Sequence, residues 1–272
     1  MFKSEEFIYV QMPKTGCTHI ALQFGRVLDG VQIGKHNRPS EREISQARYV
    51  FSSIRNPWDW YLSLWMYGVR GEGLLQRNLL NRDPVRVFRN SGGGIVRRVK
   101  ASFHEFNKNL IPKAGYYDDS ENVSSFRRWL RFILEPGNRH LLGDGYGDVP
   151  IENRFGFMTN RYARLCWKDP SVLKKSGITT SALDLLSLDK DNCYIDFFIK
   201  LETLEFDLCE AIELMKPLDY KEKQRIYSAK LTNSSQRVLD ISRYYDEHCI
   251  DLVLRNEELL ISKFGYSEHL CH

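Results

Sequence analysis

Apolar positions follow two alternating rhythms along this chain. Residues 7–12 (FIYVQM) make a short continuous run of apolar, aromatic and β-branched side chains, the pattern of a strand buried on both faces. Pro13 stops the run, Gly16 permits a tight turn, and Thr18 can cap a helix begun there. Over residues 19–28 the apolar positions Ile20, Leu22, Phe24, Val27 and Leu28 predict that helix. The unit then recurs. Residues 31–33 predict a short strand and residues 49–54 (YVFSSI) a stronger one, closed by Arg55-Asn56-Pro57. Pro57 suits the first turn of a helix reaching about residue 67. A third clear strand is predicted at 194–201 (YIDFFIKL), with an amphipathic helix at 205–215. The tail, residues 235–264, reads as one broken or two consecutive helices ended by Gly265.

Between these ends the rhythm weakens. Gly92-Gly93-Gly94 is a flexible break and residues 143–147 are turn-rich, while 103–110 and 126–134 are amphipathic in the helical period. Alternating strands and helices imply an α/β fold with a central, mostly parallel sheet, right-handed crossovers and flanking helices. One domain over residues 1–272 is expected, with a helix- and loop-rich region at about 68–170 laid over the sheet, where specificity usually resides.

Composition narrows the picture only a little. A chain with 42% hydrophobic and 27% charged residues is built to fold, so disorder is not expected. The balance of 39 basic against 35 acidic residues is too mild to argue for nucleic acid and suits local cationic clusters for small anions. The runs Arg97, Arg98, Lys100 and Arg127, Arg128, Arg131 each read, taken alone, as a solvated helix face. The six cysteines lack C-x-x-C spacing, which argues against zinc and a disulfide framework and favours a reducing, cytoplasmic setting. No signal peptide and no run near the roughly 18 apolar residues of a spanning helix is visible, so no integral membrane segment is expected. A lumenal catalytic fragment separated from its anchor would read the same way.

Two turns carry candidate chemistry. Pro13-Lys14-Thr15-Gly16-Cys17-Thr18 lies between a strand and a helix, where backbone N–H groups form an anion site and Gly16 allows close approach. Lys14 adds a mobile charge, and the Thr15 and Thr18 hydroxyls add donors. Lys14 precedes the glycine and no second glycine lies upstream, so this is not the G-x-x-x-x-G-K-[ST] loop of nucleoside triphosphatases. At the second turn, Arg55 ends a strand and Ser63 falls two turns into the next helix, a fork and a hydroxyl suited to a phosphate monoester. In a parallel sheet both turns emerge at the same carboxyl edge.

Together PKTGCTHI (residues 13–20) and RNPWDWYLSLW (residues 55–65) resemble the PAPS-dependent sulfotransferase family, with its Pro-Lys-[Thr/Ser]-Gly-x-[Thr/Ser] loop after the first strand and its Arg-Asn-Pro…Ser motif opening a helix. IKLETLEFDL (199–208) and the tail NSSQR…YYDEHCIDLV…FGY (233–266) look like the carbohydrate-type branch. Trp60 stands where the family usually has Arg, and Trp65 where it often has Tyr. The resemblance implies a P-loop-like sulfotransferase fold. It also implies PAPS as donor, 3′-phosphoadenosine 5′-phosphate as product, and transfer to a hydroxyl or amine of a glycan or glycolipid with no metal. It places Lys14 on the leaving phosphate, with the backbone of residues 15–18, Cys17 included, and His19 around it, and Arg55, Ser63 and Arg237 toward the nucleotide. His36 is the first choice of general base, with His104 and Glu105 as fallbacks; an exposed loop histidine is the plainer reading of His36. Glu202 reads as a carboxylate pairing with a nearby cation, and Trp58, Trp60 and Trp65 as core. Two other classes remain: a P-loop-like kinase or hydrolase, which needs a Mg²⁺-binding carboxylate at a strand end, and a non-catalytic nucleotide-binding relative.

Overall fold

The computed structural model describes residues 1–90, 94–177, 182–230 and 239–267. Among the described residues five strands form one sheet: β1 (Phe2–Lys3), β2 (Phe7–Val10), β3 (Val31–Gln32), β4 (Tyr49–Ile54) and β5 (Phe197–Lys200), in the order β3-β1-β2-β4-β5. β2, β4 and β5 run parallel, with Phe7 opposite Tyr49 and Phe51 opposite Phe197. β1 is antiparallel to both β2 and β3. The sheet is therefore mixed, and the expectation of a mostly parallel one is corrected at its N-terminal edge. A two-residue strand carries no readable period, so β1 escapes sequence reasoning.

Helices cover both faces. They are α1 (Cys17–Val27), α2 (Glu41–Gln46), α3 (Pro57–Val69), α4 (Leu74–Leu80), α5 (Pro84–Asn90), α6 (Ile95–Asn107), α7 (Val123–Leu134), α8 (Arg139–Leu142), α9 (Phe157–Cys166), α10 (Ala182–Asn192), α11 (Leu204–Glu213), α12 (Tyr220–Tyr227), α13 (Ile241–Tyr244), α14 (Glu247–Asn256) and α15 (Glu258–Phe264). Between β4 and β5 the described residues are helix and loop, as the weak rhythm of the middle third implies. None of the described helices is long and apolar enough to cross a membrane.

The period-two alternation of the strands divides the core. Ile8, Val10, Val50 and Ile54 point to a large cluster that includes all five tryptophans. Phe7, Tyr9, Phe51 and Ile199 point to a smaller one with Phe24, Leu208 and Ile212. α3 is buried almost all round, and its three indoles are also anchors. Trp58 Nε1 donates to Ile250 O, Trp60 Nε1 to Pro13 O and Trp65 Nε1 to Tyr116 O, at 3.3, 2.8 and 2.7 Å. The core reading of these tryptophans stands.

Candidate functional site

β2, β4 and β5 end together, and the loops that leave them border one cleft of about 910 Å³. Its walls include Lys14, Gly16, Cys17 and Thr18 after β2, Arg55 and Ser63 after β4, and Leu201 after β5. This is the carboxyl edge at which open α/β sheets take ligands. Lys35 and His36 close one side, and Tyr67 and Arg70, with Arg161 and Arg164 from α9, line the rest. Six cations thus meet two carboxylates, Glu72 and Asp144, in the cleft wall.

The first turn is built by constraints on both flanks. Lys14 sits at φ 65 and Gly16 at φ 73, so the backbone turns left-handed twice before α1 begins. A Cβ at position 16 would come within 2.8 Å of Leu201 Cδ1 and would have to be held at φ 73, so glycine suits this turn against the β5 loop. α1 starts at Cys17 with no acidic residue in its first turn, leaving the positive end of its dipole uncompensated beside the cleft. From below, Trp60 holds Pro13 O. Thr15 is fully buried: its hydroxyl donates to Met12 O at 2.8 Å and shares a hydrogen bond with Ser53, which also bonds Tyr9 OH. The expected role of the Thr15 hydroxyl toward a ligand is corrected, because three buried hydroxyls use one another to pin the turn to the sheet. His19, on the buried face of α1, likewise lies off the cleft, beside Gln23.

The two turns meet. Arg55 Nη1 donates to Lys14 O at 3.2 Å across 41 residues of chain, while Arg55 Nε donates to Asp59 at 2.5 Å. Lys14 Nζ lies 4.1 Å from the centre of the Tyr67 ring. Burial, followed by the charges of Arg55 and Arg70, brings the Lys14 ammonium down to about 8. Thr18 accepts from Lys35 Nζ at 2.8 Å, which brings in a cation the motif itself does not contain.

His36 sits at φ 57 on the rim, half-buried, with Nδ1 2.9 Å from Gln11 O. A carbonyl only accepts, so Nδ1 carries the proton and Nε2 is the lone-pair nitrogen. Burial lowers its basicity first, and Lys35 and Arg161 lower it further against the pull of the Gln11 carbonyl. His36 is therefore neutral near pH 7, with a basic nitrogen at a cationic cleft. Arg161 itself is buried, pairs with Asp144 at 2.7 Å and stacks 4.2 Å from the Phe157 ring centre. Arg164 pairs with the other oxygen of the same carboxylate at 3.2 Å.

Other expected residues lie elsewhere. His104 and Glu105 are on α6, away from the cleft, with Glu105 bound to Lys108 and Asp83 N. Among the described residues Glu202 pairs with no cation; it accepts from Asn56 N at 2.6 Å and from Tyr266 OH at 3.2 Å, fixing the second turn to the tail. Arg237 lies outside the described residues. Sequence reasoning missed Tyr67, Arg70, Arg161 and Arg164. The last two share a helix face at i, i+3, a spacing visible in the sequence but common on solvated helices.

Comparison of the chain with protein-family models, with curated proteins and with solved structures returns no match.

Proposed function

We propose that this protein is a PAPS-dependent sulfotransferase that moves a sulfuryl group to a hydroxyl or amine of an acceptor, with a glycan or glycolipid hydroxyl as the favoured class. The observation that carries the reading is the meeting of two cationic turns at one cleft, where Arg55 Nη1 reaches the backbone of Lys14. A 3′-phosphoadenosine nucleotide has an anion at each end, so its recognition requires two separated cationic groups on one wall. The volume, near the upper end of the roughly 300–1,000 Å³ usual for ligand sites, admits a nucleotide and part of an acceptor.

In this reading the N–H groups at the start of α1, with Gly16 as close-approach point, hold the 5′-phosphate. Lys14 neutralises the charge that grows there as the bridging S–O bond breaks. Arg55 and Ser63 take the 3′-phosphate. His36 Nε2 accepts the acceptor's proton as the new S–O bond forms, and burial, helped by Lys35 and Arg161, keeps that nitrogen unprotonated beforehand. Thr18 and Lys35 work as a pair rather than through the Thr18 hydroxyl alone.

Calorimetry with 3′-phosphoadenosine 5′-phosphate against ATP–Mg²⁺ tests the nucleotide, and transfer of labelled sulfate from PAPS over a panel of glycans and glycolipids tests the reaction. Tight binding of the bisphosphate with transfer supports the proposal. Preference for ATP–Mg²⁺ returns the chain to the kinase class, and bisphosphate binding without transfer to any acceptor marks a non-catalytic relative.

A further inference from the structure

Charge is unevenly distributed along this chain. Residues 82–108 hold seven basic side chains against two acidic, so this stretch alone exceeds the net +4 of the whole chain. It contains the Arg97, Arg98, Lys100 run, and its two helices are α5 and α6. Both of its carboxylates are internally engaged, Asp83 with Arg86 and Glu105 with Lys108.

α6 is inverted relative to an ordinary surface helix. Its half-buried positions include Arg98, Ala101, Ser102 and Glu105, polar or small, and they face the stem of the hairpin. Ser102 Oγ donates to Pro84 O at 2.8 Å, and Glu105 accepts from Asp83 N at 2.9 Å. The apolar side faces out: Val96 is 79% exposed, Phe103 67%, Phe106 62% and Val99 54%. With Ile95 these residues fall in an arc of roughly 100° at the helical period, so they form one stripe. Isolated exposed apolar residues are ordinary; a continuous stripe marks a contact surface. Lys100, exposed, borders the stripe on one side, and the exposed Arg97 lies about 60° further round the helix on that same side.

We propose that the α5–α6 hairpin docks on an anionic lipid surface, with Val96, Val99, Phe103 and Phe106 entering the headgroup region and Arg97 and Lys100 on lipid phosphates. Charge complementarity selects this occupant. A second copy docked stripe to stripe would set a basic hairpin against a basic hairpin. A soluble polyanion would neutralise the arginines and leave the stripe in water. A bilayer with anionic headgroups satisfies both. α4 links the hairpin to the cleft: Leu74 and Leu75 line the cleft, and Asn78 on the same helix accepts from Arg86 at 2.7 Å. Docking therefore brings the cleft to the bilayer, whatever chemistry the cleft performs.

The test is co-sedimentation of the full chain with vesicles of phosphatidylcholine alone or mixed with phosphatidylglycerol. The protein is expected to pellet with the anionic vesicles and to stay in solution with the neutral ones. The double variants Val96→Ser/Phe103→Ser and Arg97→Glu/Lys100→Glu should each lower the partition coefficient about tenfold or more. Unchanged circular dichroism shows that the fold is kept in each. A wild type that binds neither vesicle, or variants that bind as well as wild type, would overturn the proposal. So would sedimentation equilibrium showing a dimer that Val96→Ser/Phe103→Ser dissociates, which assigns the stripe to a second copy.

Discussion

In the proposed sulfuryl transfer, Lys14 and His36 would bring opposite protonation requirements to the one cleft that both line. As the cation at the leaving phosphate, Lys14 must be protonated, and its ammonium, lowered to about 8, loses charge as pH rises through that value. As the base, His36 must be neutral, and burial with Lys35 and Arg161 keeps its transition below the ordinary imidazole range. The dependence of kcat/KM on pH, which reports the free enzyme, is therefore expected to be a bell with its alkaline limb near 8 and its acid limb below about 6.5. His36→Gln should abolish the acid limb, and Arg161→Gln should move it upward. Lys14→Ala should cut turnover by roughly 10²–10³-fold with an unchanged circular dichroism spectrum, the scale of losing one preorganised charge. Equal turnover of variant and wild type would remove Lys14 from the chemistry. At this scale the sequence is informative where spacing is local: Lys14, Gly16, Arg55, Ser63 and His36 all reach the cleft. It is silent on side-chain direction within a turn, which is why Thr15 looks like a ligand donor until Ser53 and Met12 are seen to use its hydroxyl. It is also silent on residues such as Arg161, brought to the site only by packing.

That packing belongs to α9 and to the carboxylate that caps it. Met158 and Thr159, in its first turn, donate their backbone N–H groups to Glu257, and Thr159 Oγ1 and Tyr61 OH donate to the same carboxylate. A tail residue thereby does the work of a local N-cap, and Gly156 at the cap position leaves room for it. A Cβ at 156 would overlap Glu257 Oε1 and crowd Tyr61 OH. Gly156→Ala is expected to cost about 2–3 kcal/mol in denaturant unfolding and to weaken the contribution of Arg161 to the cleft. Burial outweighs these hydrogen bonds and raises the Glu257 carboxyl to about 7. The folded state therefore holds a proton that the unfolded chain releases near its ordinary value, and this contribution to stability, full at low pH, is lost as pH rises toward 7. The wild type should gain stability over Glu257→Gln as pH falls from about 7 to 5, read as the difference between their melting temperatures. A constant difference would mean that Glu257 is ionised throughout. The helices around this joint are legible as amphipathic runs, but the joint itself is not, because Glu257 and Thr159 meet only across 98 residues. β5 is shorter than its apolar run implies for a similar reason: Tyr194 N bonds Cys166 O and Asp196 accepts from Val50 N, which diverts residues 194–196 from regular pairing.

Across the whole molecule, the two hydrophobic clusters are joined by a sheet one layer thick, since neighbouring residues of β2 and β4 face opposite ways. Losing either cluster exposes one face of the strands that position both cationic turns, so the faces should unfold together. The tryptophans make this testable, because all five lie in the larger cluster and the smaller has none. Tryptophan fluorescence reports one face directly, whereas far-ultraviolet circular dichroism reports the helices of both. In guanidinium unfolding the two curves of the wild type should coincide. Leu208→Ala empties a fully buried position in the cluster without tryptophan, at an expected cost of about 2–5 kcal/mol. If the sheet couples the faces, that substitution shifts the fluorescence midpoint as far as the dichroism midpoint, although no indole touches the smaller cluster. A fluorescence curve that stays in place while the dichroism curve splits would show two independently stable halves and would overturn the single-domain reading of residues 1–272.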